Sequence, residues 1–572
     1  MASHSRPKPG AMVNWMEWGE EAFLKAREED KPILLAIGAV WCHWCHVMDN
    51  TTYSDPNVVE IINRDFIPIR VDNDKRPDIN DRYNQGGWPT TAFLTPDGEL
   101  IAGATYIPPP QMEKVLKEVK RLASNLPGKR ALMAMAHSRV KRPISEPKRV
   151  RPMVVEATWE GLWHFYDPVH GGFGKEPKFP MVDALGFALY GYHERRDGRL
   201  LKLVTHTLDK MGGGGVYDPV EGGFFRYSVT RDWSIPHYEK MLEDNAGLVS
   251  LYLDVFRITR EPRFKEKAQH ALSYLLTRLY DPERGVFWGS QDADEEYYKL
   301  NRDERSKREA PRIDRTIYTN WNAMMVSTLL KAQIVLEGDY SRKALRCLSF
   351  LLDNCYRPEM GAYHYFDGEA KLPGLIRDQV WLTHALLDAY QFTGEAGYLE
   401  KARELADWSI KNLWDPREGG FFDIPFKEGA LGALSSRLKG IQENAHAALS
   451  SIKLDVLFPT EGYRQYAEGA ITCVDERLEG YGPFTASLAQ AADLFLKTPI
   501  RVDVTGDRGD PRTQALISAA LKDYGPRKLV SYQMSDDIPK AVICEGNICR
   551  GPYLTPEDLR LGLQSVSPSY KI

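Results

Sequence analysis

The sequence predicts a multidomain protein: a small N-terminal α/β domain, a six-hairpin (α/α)6 barrel, and a small C-terminal α/β cap. Three observations predict it. The chain has 572 residues, more than a single hydrophobic core usually supports. A strand-length apolar run, Lys31-Pro-Ile-Leu-Leu-Ala-Ile-Gly38, ends just before Trp41-Cys-His-Trp-Cys-His46. From Asp167 onward a short motif recurs between alternating helical patterns, the mark of a repeated supersecondary unit.

The apolar run reads as a strand buried on both faces of a sheet, and Phe66 to Val71 as a second strand after an intervening helix. A helix is expected to begin at Cys42. There the positive end of the helix dipole and the unpaired amide donors stabilise thiolate over thiol, which makes Cys42 a nucleophile at neutral pH. Cys45, one turn on, is placed to attack a mixed disulfide formed on Cys42 and release the bound partner. A dithiol at this spacing after an apolar strand is the pattern of a thioredoxin-like redox fold. Three other readings compete: a c-type haem attachment spelled by Cys42 to His46, a zinc site made by Cys42, His43, Cys45 and His46, and an inert cysteine pair.

Three stretches carry a family resemblance: Asn14 to Phe23, Cys42-His-Trp-Cys-His-Val-Met48, and Gly86-Gly-Trp-Pro-Thr-Thr-Ala-Phe-Leu-Thr-Pro-Asp-Gly98. Together they resemble the thioredoxin-domain family that includes the spermatogenesis-associated thioredoxin-like proteins. The resemblance implies a cis proline at Pro89, after Trp88, facing the dithiol. Such a proline leaves neighbouring backbone free to pair with an extended protein substrate, so Trp88 and Pro89 are expected at the substrate. An ordinary turn proline is the plain alternative.

The α/β domain is expected over 11–127, followed by a linker over 128–152 in which eight Lys or Arg face a single Glu146. The barrel follows over 153–498. Its motif stands at Asp167-Pro-Val-His-Gly-Gly-Phe173, Asp218-Pro-Val-Glu-Gly-Gly-Phe224, Asp281-Pro-Glu-Arg-Gly-Val-Phe287, Arg357-Pro-Glu-Met-Gly-Ala-Tyr363 and Asp415-Pro-Arg-Glu-Gly-Gly-Phe421. Amphipathic helices precede most copies, as at Phe264 to Tyr280. More apolar helices follow, starting near Pro180, Asp244, Asn322, Asp378, Glu443 and Pro483. Charged outer helices alternating with apolar inner ones close into a toroid. The family resemblance implies the same architecture, a barrel similar to N-acylglucosamine 2-epimerases and six-hairpin glycosidases. The chain departs from that pattern at Arg377-Asp-Gln379, at Asn444-Ala-His446 and in the short Glu295 to Arg315 segment.

In such a barrel the repeat loops gather at the N-terminal ends of the inner helices, where function is expected. Lys178, Arg226, Tyr227, Trp233, His237, Glu239, Lys240, Asp244, Asn245, Asp292, Asp294, Trp321, Asn322, Asp378 and His384 are delivered there. Aromatic platforms with carboxylates and histidines suit a carbohydrate-like ligand. Epimerisation wants two proton carriers, for which His237 with Glu239 or His384 are candidates; glycoside hydrolysis wants two carboxylates, for which Asp244 and Asp378 are the pair. At each position an N-cap or a core aromatic is the plain alternative.

A cap over 499–572 follows from strand patterns at Ile500 to Gly506, Lys528 to Tyr532 and Ala541 to Cys544, with Arg512 to Tyr524 helical. Cys544 and Cys549 flank a turn and are read as unremarkable thiols, with pairing as the alternative. Cys347, Cys355 and Cys473 read as buried structural thiols. Seven cysteines and a net charge of −5 do not describe a secreted disulfide scaffold or a nucleic-acid binder. With no apolar run of membrane-spanning length and no secretion signal, the expected setting is cytoplasmic, with no membrane and no resident cofactor. The expected function is thiol–disulfide exchange with a protein partner by the N-terminal domain, joined to a barrel that binds a carbohydrate-like small molecule. The alternatives are a barrel that is itself a sugar epimerase, isomerase or glycoside hydrolase with the dithiol regulatory, and a non-catalytic scaffold.

Overall fold

The computed structural model of the chain describes residues 12–124, 149–474 and 481–566. Most of the predicted basic linker, 128–148, lies outside the described residues. The chain divides into two compact units, one holding the N-terminal region together with Ile424–Leu438, the other holding Ser145–Asp423 and Lys439–Ile572.

The first unit is built on a four-stranded sheet of β1 (Ile33–Gly38), β2 (Ile67–Asp72), β3 (Thr90–Leu94) and β4 (Leu100–Ala104), in the order β2-β1-β3-β4. β1 runs parallel to β2 and antiparallel to β3, with Ile37 opposite Val71 and Thr90. Its unbroken apolar sequence is explained by two cores. Leu34 and Ala36 pack with Met48, Val58, Ile62, Met112 and Leu116 on one face; Ile33, Leu35 and Ile37 pack with Phe23, Ala26, Ile79 and Tyr83 on the other. Strand side chains alternate between faces, so a strand covered on both sides cannot carry polar residues at either phase. The covering helices are α1 (Glu20–Glu28) and α4 (Pro77–Tyr83) on one side, α2 (His43–Asn50), α3 (Pro56–Asp65) and α5 (Pro109–Ser124) on the other. Residues 424–438 dock on α4: Arg82 Nε donates to Ala433 O at 2.9 Å, and the Ala433 amide donates to the Tyr83 hydroxyl at 2.7 Å. Gly98 touches this segment so closely that a Cβ there would sit 2.5 Å from Gly432 Cα.

In the second unit six inner helices, α7 (Val182–Arg195), α9 (Leu242–Thr259), α11 (Thr319–Val335), α13 (Ile376–Thr393), α15 (Ile441–Leu457) and α17 (Ala486–Lys497), each pack on the next, and α17 returns to α7 to close the ring. Outside it lie α6 (Met153–Phe165), α8 (Gly198–Gly213), α10 (Pro262–Tyr274), α12 (Tyr340–Asn354), α14 (Ala396–Leu413) and α16 (Tyr463–Thr472), which makes the predicted (α/α)6 barrel.

The cap has the sheet order β6-β5-β7-β8, with β5 (Ile500–Thr505) central between β6 (Lys528–Gln533) and β7 (Lys540–Glu545), and β8 (Ile548–Tyr553) at the edge. α18 (Pro511–Lys522) and α19 (Pro556–Val566) complete its core. It docks on the C-terminal ends of inner helices. Arg257, near the end of α9, donates to Leu521 O and Asp523 O at 2.8 Å; Arg527 pairs with Glu194 of α7 at 3.3 Å; the Val530 amide donates to Gln391 of α13 at 3.1 Å. That end of the ring is therefore covered, and the opposite end receives the repeat loops. Among the described residues no helix is long and apolar enough to cross a membrane.

Candidate functional sites

Cys42 occupies the N-cap of α2, and its Sγ accepts the Cys45 amide at 3.2 Å. The two sulfurs are bonded to each other, with the Cα atoms 5.2 Å apart. Both cysteines are buried, 4% and 8% exposed, whereas Trp44 between them is 48% exposed and rests on Tyr106. The Trp88–Pro89 peptide is cis. Trp88 donates its indole N–H to Asn80 at 3.1 Å and stands edge-on to Trp41 at 5.8 Å, which brings the Pro89 loop beside the motif. Trp41 in turn donates to the buried carboxylate of Asp74. His46 Nε2 lies 3.0 Å from Val40 O. Among the described residues no three His, Cys, Asp or Glu side chains form a metal-ligating group.

In the barrel, the repeated Asp-Pro motif is a structural clamp. The first oxygen of Asp167 accepts the amides of Val169 and His170, and the second accepts the Lys178 ammonium at 2.7 Å, while Lys178 also donates to Gly171 O. Asp218 with Lys240 and Gly222 O, and Asp415 with Lys439 and Gly419 O, repeat the arrangement. The tight turn needs glycine: a Cβ on Gly222, at φ +84°, would meet His270 O at 2.3 Å. An amide side chain at the fourth residue of the inner helix then clips the backbone just after the turn, ahead of that helix in the chain. Asn245 accepts the Phe224 amide at 2.7 Å and donates to Phe224 O at 2.9 Å; Asn322 does the same to Phe287, Gln379 to Ala362, and Asn444 to Phe421.

Several residues expected at a ligand are thereby assigned to the framework. Lys178, Lys240, Asn245 and Asn322 are fully buried inside their own hairpins. Burial lowers the Lys240 ammonium to about 8 against the pull of Asp218. Trp233 is buried and donates to His170 O at 2.9 Å. Asp294 is the N-cap of a short helix, accepting the Tyr297 amide, and Asp292 accepts the Ala293 amide beside it.

The remaining residues meet at the loop end of the ring. Because the fourth residue of each of these inner helices turns outward to its loop, the second residue, about 200° away round the helix, turns toward the axis. Glu243, Asn320, Arg377 and Gln442 hold that position, and Asp244, Trp321, Asp378 and Glu443 hold the third. Glu243 lies among Asp244, Arg226, Arg377, Trp321 and His364, and Arg377 pairs with Glu443 at 3.3 Å. Burial raises the Glu243 carboxyl against these cations. It also raises Asp244, to about 7, with Glu243 and Glu239 adding like charge. Both keep part of their surface open although the protein encloses them, as residues lining an interior space do.

Glu239, fully buried, accepts from His237 Nδ1 at 2.7 Å; His237 stacks on Tyr227, which stacks on Phe179. The dyad fixes the imidazole with Nε2 turned away from the carboxylate. Asp378 has one oxygen on His364 Nδ1 at 2.9 Å and the other on the Asn320 amide at 3.2 Å, so it positions His364 rather than forming a catalytic pair with Asp244. His384 is buried and held neutral, well below its ordinary value, with Nε2 3.1 Å from His446 O. Trp381 packs on the His446 ring at 4.4 Å, and His446 faces Asp183 at 3.9 Å. Glu243, Arg377, Glu443, His446, Trp381, His364 and Asp183 were not among the predicted ligand residues. The recurring Asn or Gln at the fourth helical position is the sequence signal that locates three of them, Glu243, Arg377 and Glu443.

Residues 5–141 match a thioredoxin-like family model described as a protein of unknown function, DUF255. The chain is 25% identical to human spermatogenesis-associated protein 20, an alignment covering 96% of this chain and 89% of that protein, and 26% identical to the rat protein over the same shares. The resemblance expected from the N-terminal motifs is thus present along almost the whole chain. Among solved structures, a cellobiose 2-epimerase from Bacillus thermoamylovorans is 11% identical with a TM-score of 0.49, covering 60% of this chain and 99% of that one. A GH76 α-mannanase from Bacteroides thetaiotaomicron is 12% identical with a TM-score of 0.44, covering 60% and 94%.

Proposed function

We propose that the N-terminal unit exchanges disulfides with a protein partner through Cys42 and Cys45. The observation that carries this reading is Cys42 at the N-cap of α2, its sulfur accepting a backbone amide and bonded to the sulfur one turn further on. An N-cap sulfur that accepts amide hydrogens is held as thiolate once reduced. The Cys42 thiolate attacks one sulfur of the partner's disulfide. A Cys42–partner bond forms, and the partner's other sulfur leaves as a thiolate that takes a proton from solvent. Cys45, having released its proton, attacks Cys42 Sγ, breaks the mixed bond and frees the second partner thiol. Two electrons pass from the dithiol to the partner. In reverse the same steps oxidise a partner dithiol.

Replacing Cys45 by Ser leaves the mixed bond without its resolving thiol, so the full-length Cys45→Ser protein is expected to accumulate partner-linked species visible on non-reducing gels, and Cys42→Ser none. Absence of trapped partner, together with no reduction of insulin by the wild-type protein, overturns the reading.

A second reading concerns the barrel, where the His237–Glu239 dyad and the enclosed carboxylates favour a carbohydrate-like ligand over a purely structural role. Buried charge is unfavourable in an empty core, and a polyol supplies hydroxyl groups to every acceptor there. The His237→Ala protein is expected to lose sugar binding or turnover while keeping disulfide exchange. Loss of both together would instead make the dithiol part of the same reaction.

A further inference from the structure

The loop end of the ring holds, among the described residues, more carboxylates than guanidinium or ammonium groups. Among the described residues Asp183, Glu239, Glu243, Asp244, Asp378 and Glu443 are carboxylates in this group; the guanidinium groups are Arg226 and Arg377, and His237, His364 and His446 face Glu239, Asp378 and Asp183, which leaves Glu243 and Asp244 without a histidine hydrogen-bonded to them. Histidine does not restore the balance at His384, which burial holds neutral. Lys453 lies further along its helix, 3.9 Å from Asp388. Asn320, 7% exposed and on the axis-facing second position of α11, has a carbonyl oxygen with no hydrogen-bond partner. A buried acceptor without a donor is costly and calls for one from a ligand.

Resting on the reading of the barrel as a site for a carbohydrate-like molecule, we propose that its ligand is a cationic amino-polyol, such as an amino sugar, whose ammonium group is held by Glu243 and Asp244. An ammonium carries the missing charge and three donors with no acceptor. It fits a group of carboxylates enclosed away from water better than a hydroxyl does, because attraction between opposite charges strengthens as solvent is excluded. The enclosed carboxyls of Glu243 and Asp244, raised by burial in the unliganded site, are stabilised in their charged form by such a ligand. Arg377 holds Glu443, and Trp381 packs beside His446 at the same end.

D-glucosamine, D-glucose and N-acetyl-D-glucosamine differ at one carbon, and only the first is charged there. Titration calorimetry on the full-length protein is expected to show glucosamine binding at least about tenfold more tightly than either neutral sugar, a difference of about 1.4 kcal/mol. The preference is expected to disappear in Glu243→Gln/Asp244→Asn, with Asp244→Asn alone as the milder variant and circular dichroism to verify folding. Neutral sugars that bind as tightly as glucosamine, or a preference that survives in a folded double variant, overturn the charge assignment and leave the carbohydrate reading standing. No saturable binding by any of the three overturns both.

Discussion

The chain forms the same covalent bond twice in different surroundings. Cys42–Cys45 sits at a helix N-terminus, one sulfur receiving a backbone amide. Cys544–Cys549 joins two antiparallel strands of the cap across a register pair, with the Cα atoms 4.1 Å apart. Spacing alone leaves the second pair between unremarkable thiols and a bridge; antiparallel pairing of β7 with β8 brings them directly opposite each other. What separates the two is the electrostatics of the reduced state. Helix amides stabilise a thiolate, whereas a strand pair satisfies its amides across the ladder and offers nothing comparable to sulfur. Cys544 instead faces the Asp503 carboxylate at 3.9 Å, which disfavours a thiolate. One pair has a sulfur at a helix N-terminus, the other bridges two strands.

The contrast is sharpest in activity. Cys42→Ser is expected to abolish disulfide exchange, and the Cys544→Ser/Cys549→Ser protein to keep the wild-type rate in an insulin-reduction assay. A loss of exchange in the second variant would erase the distinction.

The same division between framework and chemistry runs through the barrel. Asp218 is enclosed with Lys240 and Arg305, each 2.7 Å away, and holds a hairpin shut. Asp218→Ala leaves two buried cations without their carboxylate and is expected to destabilise the second unit by about 3–5 kcal/mol in urea unfolding. A change near zero would mean the clamp carries no weight. Removing the cap's disulfide frees a short loop, with an expected loss of about 2 kcal/mol, again read by denaturant midpoint.

The effect of Asp244 differs in kind, because it depends on pH. Its carboxyl is raised from 3.8 to about 7 in the folded chain, so between those values the folded state holds a proton that the unfolded state has released. Stability from this group is present at low pH, declines as pH rises through that window, and stays reduced above it. Asp244→Asn removes the penalty. The variant is expected to melt roughly 2–4 °C higher than wild type at pH 8 and to match it near pH 4. Equal melting at both values would show that the enclosed carboxylate is not under strain.

Much of the fold was legible because it rests on local, periodic signals. The apolar strand at 33–38, the helix start at Cys42 and the turn motif at Asp167, Asp218, Asp281 and Asp415 each announce one element by residue type and spacing. Candidate site residues were less legible, since a carboxylate or lysine near a helix start looks alike whether it faces a ligand or a turn. The sequence pattern puts Lys178 and Lys240 at a ligand, yet both are clamps; it does not single out Glu243 and Arg377, which hold the second helical position. The distinction depends on which direction a helix presents at its second and fourth residues, and that is set by the loop the helix must clip.

By itself the sequence determined that a dithiol follows a buried strand and that six helical hairpins recur, because apolar periodicity and glycine turns act through near neighbours in the chain. Only tertiary structure decided which polar groups hold the hairpins and which are left enclosed at the mouth of the ring. It also decided that Cys544 meets Cys549. Those outcomes depend on where separate elements bring their atoms in space, and burial and charge act on distance in space, not on distance along the chain.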